Sequence, residues 1–109
     1  MTTFDSVWTR LQSNLKPGKA IKNWTALRGY LGDTMKIVGV RSGYIAVNAP
    51  NASSTQVISK ANFEKVWEVW SDYKSGKLPR HELRDITWFS KYIISILHWW
   101  EQEGGQEGG

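Results

Sequence analysis

Apolar residues first recur at helical spacing. Phe4, Val7, Trp8, Leu11 and Leu15 fall on one stripe, which predicts an amphipathic helix with one wet face. Thr2 is placed to cap it and Asp5 stands at its third position. Pro17-Gly18 ends it, since the residue before a proline is pushed out of the helical region.

The period then changes from helical to alternating. Ala26, Arg28 and Tyr30 alternate with Leu27, Gly29 and Leu31, and Gly32-Asp33 offers a tight turn. Met35 and Ile37 alternate with Lys36 and Val38, and Ser42-Gly43 makes a second turn into Tyr44-Ile45-Ala46-Val47. The pattern predicts a three-stranded antiparallel meander between Lys19 and Ala49. So small a sheet needs a covering element. Pro50 to Ser54 reads as a loop, with a further short extended piece at Gln56-Val57-Ile58.

Helical spacing returns after Ser59, an N-cap candidate with Asn62 in the capping-box position. Phe63, Val66, Trp67, Trp70 and Tyr73 mark an amphipathic helix, and Gly76 suits its left-handed cap. Pro79 fits the start of the next helix. From Arg80 to Glu101 two readings stand. Leu83, Ile86, Phe89 or Ser90, Ile93, Leu97 and Trp100 keep one apolar face through a single long helix. Alternatively Thr87 divides the stretch at about Ile86, giving a compact three-helix unit with the Phe63 helix, and this division is favoured. The expected fold is therefore α+β: an N-terminal helix, a three-stranded meander and two to three C-terminal helices. Residues 1–102 form one domain in this reading, and the Gly/Glu/Gln-rich stretch 103–109 forms a disordered tail.

Composition sharpens the picture in three ways. Seven tryptophans in 109 residues mean that aromatics supply much of the buried area, at roughly 150–250 Å² each. The absence of cysteine excludes disulfide scaffolds, thiolate metal sites and cysteine nucleophiles. The net charge of +4 is also uneven: residues 1–60 carry +6 and residues 61–109 carry −2. Such a split steers an anionic partner toward one half. No membrane span is expected, because Tyr92 to Trp100 is too short and is broken by Ser95 and His98. The first residues show no signal-peptide pattern, so the expected location is cytoplasmic.

Catalytic constellations are not evident, and no enzyme activity, cofactor or metal is expected. His98 and Glu101 share a helix face, but a stable metal site generally needs three or four ligands. Glu64, Glu68 and Asp72 line a solvated helix face. The glycines at 29, 32, 39 and 43 lack the following helix that a phosphate cradle requires.

The residues point instead to a non-enzymatic binding role, with nucleic acid as the leading partner. Lys19, Lys22, Trp24, Arg28, Tyr30, Lys36, Arg41 and Tyr44 interleave cations and aromatics along the expected strands, a combination that holds phosphate while bases stack. In its apolar spacing the stretch Arg80 to Leu97 resembles a helix-turn-helix DNA-binding unit, with Leu83, Phe89, Ile94 and Leu97 at the buried positions. That resemblance implies that Trp88, Ser90, Lys91 and Ser95 face the groove, with Arg80 and Arg84 near phosphate. A second stripe, Trp88, Tyr92, Ser95 and Trp99, lies roughly opposite the Ile86–Ile93–Leu97 face. It supports an alternative: a small dimeric accessory protein, of the kind carried by mobile elements, binding a partner protein or small ligand through Trp88, Tyr92 and Trp99.

Overall fold

In the computed structural model, which describes residues 3–49 and 54–104, the chain forms an α+β fold. The elements run α1 (Phe4–Asn14), β1 (Ala20–Thr25), β2 (Gly29–Val40), β3 (Tyr44–Asn48), β4 (Gln56–Ser59), α2 (Lys60–Glu68), α3 (Trp70–Ser75), α4 (Arg80–Ile86) and α5 (Ser90–Trp99). A short π-helical stretch, Trp100–Gly104, follows α5. The four strands make one antiparallel sheet in the order β1-β2-β3-β4.

The N-terminal helix forms where its apolar stripe lies, burying Phe4, Val7, Trp8 and Leu11. Its cap is Thr3, whose hydroxyl accepts the Ser6 N–H at 3.2 Å. Thr2, the expected cap, lies outside the described residues. A side-chain cap of this kind contributes about 1 kcal/mol.

The sheet has four strands rather than three. The short extended piece at Gln56–Ser59 pairs with β3, Ile45 opposite Ile58 and Ala46 opposite Val57. The turn expected at Gly32-Asp33 is a bulge instead. Lys22 faces Thr34 and Trp24 faces Tyr30, so Leu31, Gly32 and Asp33 stand opposite the single residue Asn23. Gly32, with φ +95, supplies a conformation that L side chains avoid. The true reversal lies at Ala26–Arg28, where the Arg28 N–H is held by Thr25 Oγ1 at 3.1 Å. Most of the loop expected at Pro50 to Ser54 lies outside the described residues, as does the tail from residue 105. Glu103 and Gly104, assigned to that tail by composition, belong to the π-helical stretch.

The helical half divides more finely than its apolar spacing indicates. Ser59 caps α2 as expected, accepting from the Asn62 N–H at 3.3 Å and the Asn62 side-chain amide at 3.0 Å. The helix then breaks at Val69. Gly76 closes α3 in the left-handed conformation at φ +86. The stretch from Arg80 is two helices, as the division at Ile86 anticipates. Thr87 is extended, and its hydroxyl accepts the Phe89 N–H at 3.3 Å and donates to Asn62 Oδ1 at 2.9 Å.

One continuous core joins all of this. Ile21, Met35, Ile37, Ile45, Val47 and Ile58 from the sheet meet Phe4, Trp8 and Leu11 of α1, Phe63 and Val66 of α2, and Ile93, Ile94, Ile96 and Leu97 of α5. Aromatic pairs run through it, including Trp8 against Phe63 at 5.3 Å and Trp24 against Trp70 at 6.0 Å between ring centroids. Among the described residues no helix is long and apolar enough to cross a membrane.

Candidate nucleic-acid interface

Strand register determines which side chains share a face. Ala20 pairs with Lys36, Lys22 with Thr34, Trp24 with Tyr30, and Lys36 with Asn48. Directly opposed residues project to the same side, and residues two apart along a strand do so as well. Lys22, Thr34, Lys36 and Asn48 therefore lie on one face, and Tyr30, beyond the bulge, is brought to its margin by its contact with Lys22. The buried set Ile21, Met35, Ile37 and Val47 occupies the other. Tyr44 and Val57 belong to the open face too, through Ala46 opposite Val57. The four strands contain a single carboxylate, Asp33, which accepts from the Asn23 amide at 2.8 Å. The exposed sheet face is thus cationic and aromatic, with no acidic residue at its outward positions.

The free edge of β1 is where this face meets the helices. An unpaired edge is a template for wrong pairing unless it is covered, and here α5 covers it. The Trp24 N–H donates to Ser95 Oγ at 3.0 Å, and the Ser95 hydroxyl donates to the Lys91 carbonyl at 3.1 Å. Farther along, the Ala26 N–H donates to Tyr73 Oη at 3.0 Å. These two donors thereby find side-chain partners.

A hollow of about 190 Å³ opens at the seam, lined by Lys19, Ala20, Lys22, Tyr30, Ser95, His98 and Trp99. Its aromatic floor is organised in depth. His98 stacks on Trp24 at 4.0 Å with the rings 7° from parallel, and its Nε2 stands 3.2 Å from Tyr30 Oη. Lys22 Nζ lies 5.5 Å from the Tyr30 ring centroid, and Lys19 Nζ lies 5.6 Å from that of Trp99. Both are cation–π distances. Tyr30 remains 54% exposed, so part of its ring stays open beside the Lys22 ammonium group.

The remaining predicted cations lie elsewhere. Arg28 sits at the β1–β2 reversal and lines a second cleft together with Arg80 at the start of α4. Arg41 is in the β2–β3 turn, where its carbonyl accepts from the Gln12 amide at 2.7 Å. Arg84 is exposed on α4, and Lys91 lies at the start of α5 with Nζ 5.0 Å from the Tyr92 ring. The fold therefore gathers Lys19, Lys22 and Lys36, joins Arg28 to Arg80, and leaves Arg41, Arg84 and Lys91 apart.

The helix that the helix-turn-helix resemblance turns toward a groove is the covered central helix. Ser90 and Ser95 are each 1% exposed, leaving only Trp88 and Lys91 at its N-terminal end for an outside contact. The second stripe is likewise placed inward. Tyr92 and Trp99 are core residues, and Trp88, at 83% exposure, is the one member open to a partner. A helix apolar on both sides is explained here by lying between the sheet edge and the other helices, not by a surface stripe.

Among the described residues no group of three or more His, Asp or Glu could hold a metal ion. Glu101, paired by spacing with His98, meets Lys74 Nζ at 2.6 Å. The signals missed by pattern reading are Ser95 as the edge cap and His98 as a stacking partner of Trp24. Neither has a local sequence signature, because Ser95 meets Trp24 across 71 residues of chain and His98 reaches Tyr30 across 68. Comparison with family models, with curated proteins and with solved structures gives no match.

Proposed function

We propose that this protein is a non-enzymatic nucleic-acid-binding domain that lays a single strand across the open face of its sheet. The observation that carries this reading is the seam hollow, where Lys22 lies against a half-exposed Tyr30 and Lys19 lines the same wall, beside a face that also presents Lys36. Ammonium groups supply phosphate contacts, and an exposed ring beside them supplies a stacking platform. A base stacked on an aromatic residue contributes roughly 1–3 kcal/mol. Duplex groove reading is the weaker form of the proposal, because the face is a broad sheet and the helix that would enter a groove is covered.

The chemistry of the face sets the expected behaviour. Each phosphate contact releases counterions, with a slope near −0.7 per contact for single strands. Three lysines then give a slope of about −2, or a loss of about twentyfold in affinity between roughly 50 and 200 mM salt. Fluorescence anisotropy with labelled oligo(dT) and with a labelled duplex, across that salt range, is the direct assay. Single-strand binding with this slope is expected. Binding that ignores salt, or no binding at low salt, would overturn the proposal.

A further inference from the structure

On the opposite side of the Tyr73 tether from the seam hollow, the β1–β2 reversal and the α3–α4 connection enclose a cleft of about 820 Å³. That volume lies within the usual range for ligand sites, roughly 300–1,000 Å³. Its apolar lining includes Leu27, Leu31 and Leu78. Leu27 is the exceptional residue. It stands at the apex of a strand reversal, where glycine, asparagine and aspartate are the usual residues, and it is 92% exposed. A side chain so placed gives nothing to the core of its own chain.

Charge around the cleft is of one sign. Arg28 lines it from the β1–β2 reversal, Lys74 from α3 and Arg80 from the start of α4, and none of its lining residues is acidic. Lys74 is matched by Glu101, whereas neither arginine meets a carboxylate among the described residues. We infer that this cleft docks a short peptide segment of a partner protein, one that carries apolar anchors flanked by aspartate or glutamate. Leu27, Leu31 and Leu78 receive the anchors, and the two guanidinium groups take carboxylates in the bidentate geometry that suits them. A nucleic-acid strand fits less well, because aliphatic side chains offer no stacking platform. This inference does not rest on the sheet-face reading, and the two surfaces are distinct.

The test is selection from a random-peptide display library on the immobilised full chain, run in parallel on a Leu27→Ser/Arg80→Glu double variant. Both positions are exposed, so the variant should keep its fold, which circular dichroism checks. The wild type is expected to enrich peptides that combine leucine or phenylalanine with aspartate or glutamate. A synthetic copy of the enriched peptide should bind the double variant at least about tenfold more weakly. Enrichment of no such class, or equal binding to the variant, overturns the inference. So does perturbation of the Leu27, Leu31 and Leu78 methyl resonances by oligo(dT), which would make the cleft part of the nucleic-acid surface.

Discussion

Ser95 Oγ accepts the Trp24 N–H at 3.0 Å, and this contact ties the most buried helix to the free edge of the sheet. Ser95 itself is buried, so its removal strands a backbone donor that β2 cannot satisfy. Ser95→Ala is expected to cost about 1–3 kcal/mol, the range for leaving a buried polar group unpaired. Urea unfolding should show a lower midpoint with an unchanged slope. An unchanged midpoint would mean that solvent reaches Trp24 and the edge is not sealed there.

Trp88 and Trp99 belong to the same stripe by spacing and to different environments by structure. Trp88→Ala should change stability by no more than about 0.5 kcal/mol, as exposed substitutions do. Trp99→Ala should cost about 3–5 kcal/mol, the range for emptying an aromatic site in a core. Thermal unfolding followed by circular dichroism separates the two. The contrary result, a stable Trp99→Ala that merely changes its sedimentation, would return the stripe to an assembly role.

Gly76 closes α3 at φ +86 with open space around its Cα. The strain of a side chain there is conformational rather than steric. Gly76→Ala should cost about 1–2 kcal/mol, the penalty of the left-handed region for an L residue. Gly39→Ala is the control, since its φ is ordinary and its added Cβ would sit 3.7 Å from that of Ala46. Its midpoint should move much less.

The parts of the fold legible in the sequence are those set by local rules. The α1 stripe, the Ser59 cap, the Gly76 stop and the break near Thr87 each depend on residues within one or two turns. The misread turn shows the limit. Gly32-Asp33 carries good turn chemistry, but the chain uses Gly32 for a bulge and reverses at Ala26–Arg28, because Trp24 must meet Tyr30 while Lys22 meets Thr34. Register of that kind is a pairing property that neither strand displays alone. The candidate site divides the same way. That cations and aromatics interleave from Lys19 to Tyr44 is visible in the sequence. That Lys22 and Lys36 share an open face with Tyr30 at its margin, while Arg28 joins Arg80 across the fold, follows only from the strand pairing and the placement of α4.

Lys22 and Lys36 are exposed on the open face, and neither lies in the core. Replacing either with alanine should leave the melting temperature nearly unchanged. Each replacement should reduce the magnitude of the salt slope for oligo(dT) by about 0.7. Arg84→Ala, far from the sheet face, should leave that slope as it is. An equal effect at all three positions would point to diffuse attraction by the net charge instead of a defined face.

The most direct measurement is a titration of isotopically labelled protein with oligo(dT), followed by backbone and side-chain resonance shifts. The sheet-face account predicts that the largest shifts fall on Lys19, Lys22, Tyr30, Thr34, Lys36 and His98, with little change at the α4–α5 corner. Shifts centred on Arg80, Arg84, Trp88 and Lys91, with a silent sheet, would contradict it.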